Sequence, residues 1–258
     1  MSERMDDTNK SASGGRLELV DALRGLLLVN MIAYHLFYDL TVLFGLKMTW
    51  FWDWPGQLWQ SLVAGSFILI SGFSSRLSRK NGRRGLLLLG CGMLLSLVTW
   101  VVMPGQLIRF GVLHFLGTAA LLWAFLGRWL DRVPAGVLLG VGLLLFCLTW
   151  GTQNGFWGCG VLRLVSLPDS WYTSRWLFPL GFPGPNFYSA DYFPLLPWFF
   201  LYLSGTAVQR LVAARPVLLH RLKTRIPFFS LCGRHTLIVY LLHQPVLYGL
   251  CLALMQLW

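Results

Sequence analysis

The chain has 258 residues, of which 56% are hydrophobic and only 12% charged, with a formal net charge of +11. Soluble domains carry roughly a quarter charged residues, so this composition excludes an ordinary water-soluble fold and leaves no room for a soluble domain of any size. The positive charge does not signal nucleic acid, because the basic residues stand in connections between apolar runs, where membrane orientation accounts for them.

Residues 1–16 are polar and carry both signs of charge, which predicts a disordered cytoplasmic tail ahead of a single transmembrane domain over 17–258. The expected fold class is all-α: a polytopic helical bundle of about seven spans with a cytoplasmic N-terminus. The spans fall near 17–37, 56–75, 85–103, 110–127, 134–150, 192–209 and 229–254. The first holds Asp21 and Arg24 and lacks a small-residue cleavage site, so it reads as an uncleaved signal anchor.

Orientation follows from Lys and Arg. Fifteen lie in the tail and the even-numbered connections, including the run Arg76, Arg79, Lys80, Arg83 and Arg84; only Lys47, Arg109, Arg163 and Arg175 lie on the other face. The basic side is therefore expected to be cytoplasmic and the C-terminus outside, in the cell (inner) membrane. The outer connections are aromatic instead, with Trp50, Phe51, Trp52, Trp54 and Trp59 beside the second span and a long Trp-, Gly- and Pro-rich loop at 151–190. An interfacial belt is the commoner reading of these aromatics, and a sugar-stacking platform the other.

Ionisable residues inside spans are costly and mark functional paths. The first span runs from Asp21-Ala22-Leu23-Arg24-Gly25 to His35, Tyr38 and Asp39. Arg24 and His35 are eleven residues apart, about three turns, so they share a face and stand about 16 Å apart along the axis. Arg24 has an alternative role as the partner of Asp21, and His35 as an interhelical hydrogen-bonding group. The fourth span opens with Arg109 and His114; Arg109 is a snorkelling or a catalytic cation. Asp191, before Pro194 and Pro197, caps a helix start or contacts substrate. In the last span Pro245 removes a helical donor beside His243 and Gln244, opening the backbone there.

No metal site is expected. His35, His114 and His243 have no His-Glu-x-x-His spacing, and helical histidines facing a cavity serve as acid/base groups. The five cysteines lack Cys-x-x-Cys pairing, and most sit in apolar runs as small hydrophobes, so no disulfide framework is indicated.

Four segments resemble the bacterial members of the heparan-alpha-glucosaminide N-acetyltransferase catalytic family: Asp21 through Asp39, Ile108 through His114, Asp191 through Trp198, and Gly233-Arg234-His235 through Gln244-Pro245. The spacing of Arg24 and His35 is also similar to the first-span motif of the wider transmembrane acyltransferase superfamily. The chain departs from the lysosomal branch in having no histidine between His35 and His114. The resemblance implies an N- or O-acetyltransferase that takes acetyl-CoA from the cytoplasm and acetylates a sugar or glycan amine or hydroxyl across the lipid bilayer. It implies His35 as general base or transient acetyl carrier, with Tyr38 or Asp39 orienting it. His114, Arg109 or His243 would stabilise the oxyanion, Arg24 and Arg234 would hold CoA phosphates, and Asp191, His243, Gln244 and Tyr38 would face the acceptor. A small transporter or channel, and a non-catalytic subunit of an envelope assembly, are the alternatives; the oligomeric state, a homo-oligomer included, stays open.

Overall fold

The computed structural model describes residues 16–256, so the tail reading for 1–16 lies, apart from Arg16, outside the described residues. In order, the helices are α1 (Glu18–Tyr38), α2 (Thr49–Trp52), α3 (Trp54–Ser75), α4 (Asn81–Val102), α5 (Val112–Leu130), α6 (Ala135–Leu148), α7 (Leu195–Ala213), α8 (Pro216–Arg221), α9 (Pro227–Arg234) and α10 (Thr236–Met255). The fold is nearly all helical, as expected for a polytopic membrane bundle. The loop after α6 adds one antiparallel hairpin, β1 (Phe156–Cys159) with β2 (Leu162–Ser166).

Among the described residues six helices are long and apolar enough to cross a bilayer: Glu18–Leu43, Trp54–Ser75, Asn81–Val102, Val112–Leu130, Ala135–Asn154 and Thr236–Leu254. The remaining predicted span, 192–209, is α7, which has an extended residue at Leu196 and is not among the six. Its middle is Ser204-Gly205-Thr206, all buried in protein. A helix enclosed by other helices needs less apolar surface than one facing lipid. The predicted last span also differs: 229–254 is two helices, α9 and α10, broken at His235 (φ −105°, ψ 22°).

The chain forms two compact units, Ile68–Leu211 and the rest. In the unit made of the chain up to Phe67 and from Val212 onward, α1 crosses α9 at two glycines. A Cβ on Gly25 would collide with the carbonyl oxygen of Phe229, and one on Gly233 with that of Asp21. Lipid gives helices no hydrophobic reason to associate, so close backbone approach through small residues supplies the contact. Polar bonds flank the crossing: Arg234 pairs with Glu18, and the Ser230 hydroxyl donates to the Glu18 carbonyl at 3.2 Å.

In the unit Ile68–Leu211, small residues again set the packing. Gly205 lies on the Leu69 carbonyl, Gly72 on that of Tyr202, and Gly117 against the backbone of Leu89. Phe146, Trp150 and Trp198 interlock with ring centroids 5.3–5.6 Å apart at the end of α6.

Gly233→Ala and Gly25→Ala should each destabilise the protein by ~1–3 kcal/mol, since backbone must move to admit one methyl group. Because both relieve or strain one crossing, the double variant should lose less than the sum. Thermal unfolding of the purified protein in detergent checks both statements; an unchanged midpoint in each single variant would refute the crossing.

Candidate active site

The polar residues of α1 fall into two groups, one at each end of the helix. At one end Asp21, 5% exposed, receives Arg24 at 2.9 Å and Arg16 at 2.5 Å. Arg24 therefore takes the ion-pair role that was its alternative, whatever else it contacts. Arg234 is likewise held by Glu18. Three guanidinium groups against two carboxylates leave one positive charge at this end of the unit.

At the other end the regular helix gives way to a π-helical turn, Asp39–Leu43, closed by the Phe44 amide donating to the Asp39 carbonyl at 3.0 Å. Such turns are uncommon and recur at functional sites, because the extra residue re-aims the side chains around it. Here it buries Asp39 completely. The Gln244 side-chain amide donates to Asp39 Oδ1 at 2.5 Å, which joins the end of α1 to α10 next to Pro245.

The His35 and His243 rings lie beside this pair, their centroids 4.8 Å apart. His243 Nδ1 is 2.5 Å from the Tyr240 carbonyl oxygen. A carbonyl accepts only, so Nδ1 carries the proton and Nε2 presents a bare lone pair. That lone pair is buried without a partner, as are Asp39 Oδ2, Gln244 Oε1 and Thr41 Oγ. Eight buried side-chain polar atoms lack a partner among the described residues, and these four belong to one stretch of α10 and the π-turn. Buried polar atoms are almost always bonded. Their concentration beside two histidines makes this the candidate site.

Aromatic side chains wall the histidines. Tyr34 packs on Phe51 (5.0 Å) and Trp59 (5.5 Å), Phe37 on Trp50 (5.4 Å), and Tyr38 lies 6.4 Å from His35. Trp52 and Trp54 turn outward, 57% and 73% exposed, as residues of an interfacial belt do.

The other predicted residues gather in the unit Ile68–Leu211. The Ser96 hydroxyl donates to the Ile108 carbonyl at 2.7 Å, so it accepts from His114 Nε2, 3.3 Å away. His114 Nδ1 is then the bare nitrogen, and it faces the backbone of Gly92, where an added Cβ would stand 2.9 Å from it. The Arg109 guanidinium lies over the Phe187 ring at 6.0 Å. His114 and Arg109 are thus engaged by groups of their own unit.

Asp191 does cap a helix, but not the one it precedes in sequence. Its Oδ2 accepts from the Val112 amide at 2.9 Å, capping α5 from a segment 79 residues away. The segments are laced together: Arg109 N donates to Ser189 Oγ (2.8 Å), Ala190 N to the Leu107 carbonyl (3.0 Å), and Phe193 N to the Phe110 carbonyl (3.0 Å). Phe110 adopts φ +58° to make this fit, an unusual conformation for a bulky residue. Burial pushes the Asp191 carboxyl up to about 6, outweighing the Val112 hydrogen bond that lowers it. The Tyr192 phenol is also raised, by burial first and the Tyr172 phenol second.

Several neighbours of the candidate residues were not visible in sequence. Ser96, Glu18 and Thr41 carried no motif, and the π-turn had no local signal beyond its place after a polar stripe.

The Asp191 shift has a sign. Its proton binds the folded protein more tightly than the unfolded chain, so the stability it contributes is full below about pH 4 and is lost as pH rises towards 6. Between those values the wild-type protein should lose up to ~3 kcal/mol more than Asp191→Asn, whose side-chain oxygen still caps Val112. Unfolding midpoints of both proteins in one detergent across pH 4–7 check this; parallel curves would refute it.

The family model described as heparan-alpha-glucosaminide N-acetyltransferase, catalytic, matches residues 16–245. None of the curated proteins and none of the solved structures compared with the chain matches it. The matched range begins at Arg16, which pairs with Asp21, and ends at Pro245, beside the histidine and glutamine that meet α1. The chain belongs to the heparan-alpha-glucosaminide N-acetyltransferase catalytic family, a family of membrane acetyltransferases.

Proposed function

We propose that the protein moves an acetyl group from cytoplasmic acetyl-CoA to a sugar amine or hydroxyl on the opposite side of the cell membrane, and that His35, His243, Asp39 and Gln244 form its reacting centre. The observation that carries this reading is the set of unpartnered buried acceptors beside two touching imidazoles in a chain of this family.

Asp39 Oδ2 and Gln244 Oε1 are acceptors, suited to an N–H or O–H of the acceptor. His243 Nε2, its tautomer set by Tyr240, takes the proton as the acceptor's lone pair attacks the thioester carbonyl carbon. The new C–N or C–O bond forms, the C–S bond breaks, and the proton passes from the imidazole to the departing thiolate. His35, packed on His243, assists as a second base or carries the acetyl group between the two partners. Basic residues at the other end of α1 suit the donor's phosphates. Arg24 and Arg234 already share their charge with Asp21 and Glu18, so they would contribute through the one net positive charge of that cluster.

Purified protein in lipid nanodiscs should transfer label from acetyl-CoA to glucosamine. His35→Ala and His243→Ala should each lower kcat by ~10²–10⁴-fold while the protein stays folded. Arg24→Gln should act mainly on KM for acetyl-CoA. Full activity in both histidine variants would defeat the assignment, and solute flux into liposomes without an acyl donor would favour transport instead.

A further inference from the structure

Two of the five cysteines, read from sequence as small hydrophobes, meet outside the site. Cys147 is in the last turn of α6 and Cys159 ends β1; both are exposed. The chain between them folds back on itself. Gly151 N donates to the Gly158 carbonyl and Phe156 N to the Gly151 carbonyl, each at 3.3 Å, so β1 returns to within a turn of the end of α6. Gly158 (φ +149°) and Gly160 (φ +59°) allow that return where other residues would be strained. Cys159 is the group that acts on the Cys147 thiol through space. A disulfide requires Cα atoms closer than about 7 Å, and the return of Gly158 to Gly151 brings the residue after Gly158 back to the end of α6.

We propose that Cys147 and Cys159 are a redox pair that closes into a disulfide and staples the β1–β2 hairpin onto α6. The inference rests on the sidedness proposed above: only Arg163 and Arg175 are basic in loop 151–190, which places the hairpin on the non-cytoplasmic face, where disulfides persist. The oxidant is a protein or small-molecule disulfide. One thiolate of the pair attacks it to give a mixed disulfide, and the second displaces the oxidant's sulfur. Two thiols of the chain lose two electrons, the oxidant leaves as two thiols, and the two protons go with it. The ring of residues 147–159 then holds β2, whose five residues are all exposed, against the end of the helix.

The test counts thiols in the full-length protein. Cells are lysed directly in acid to hold the thiol state, and the protein is denatured and treated with a maleimide of added mass before and after reduction. The wild-type protein should show three thiols before reduction and five after. Cys147→Ser and Cys159→Ser should each show four without reduction. A membrane-impermeant maleimide should label Cys159 in the Cys147→Ser protein on intact cells. Five thiols before reduction overturns the staple; if Cys159 is still labelled from outside, the sidedness stands without it. Labelling of Cys159 only after permeabilisation overturns both.

Discussion

Hydrocarbon offers no hydrogen bonds, and this one constraint orders most of the structure. Each polar side chain drawn into a span must find its partner within the protein or be left costly and exposed to demand. The hydroxyls obey by folding back onto their own helices: Ser74 on the Ile70 carbonyl, Thr99 on that of Leu95, Ser204 on that of Phe200. The charges obey by pairing, as Arg24 does with Asp21 and Arg76 with Asp131. His114 obeys only in part: its Nε2 meets Ser96, which itself leans on the Ile108 carbonyl, while its Nδ1 stays bare.

Against that background the exceptions carry meaning. Asp39, Thr41, His243 and Gln244 each keep a buried atom unpartnered, and leaving such an atom unsatisfied costs about 1–3 kcal/mol. The arrangement persists because α1 and α9 are locked by backbone contact at Gly25 and Gly233, while Gln244 ties the π-turn to α10. Close backbone packing thus lies towards one end of α1 and the four unpartnered atoms of the candidate site at the other. A site whose acceptors wait unsatisfied needs little reorganisation when a donor arrives, which is the condition under which fixed dipoles and bases act most strongly.

Much of this was legible in residues. Arg24, His35, Asp39, His243 and Gln244 were all singled out in the sequence, and the structure brings His35 to His243 and Asp39 to Gln244, while α10 runs on through Pro245 without the expected break. Helix boundaries were close wherever long apolar runs met Gly, Pro or charge. The reading was less complete where partners came from far along the chain. Asp191 was expected at the start of its own helix and instead caps α5, and Arg234 meets Glu18, 216 residues away. The last predicted span was drawn as one helix because apolar periodicity continues through His235, whereas the backbone turns there so that α9 can lie on α1.

Residue order alone was enough for the solvent, the helical class, the family and the residues rich in chemistry, since those depend on composition, local periodicity and short motifs. Which of these residues meet is a matter of how the helices pack. The tertiary structure placed His243 against His35 and gave His243 its tautomer, held His114 and Arg109 with neighbours of their own unit, and brought Cys147 to Cys159. The reason is physical: hydropathy and helical period are properties of neighbouring residues, but a hydrogen-bond partner in a membrane is chosen among whatever side chains the packing of distant helices brings within about 3 Å.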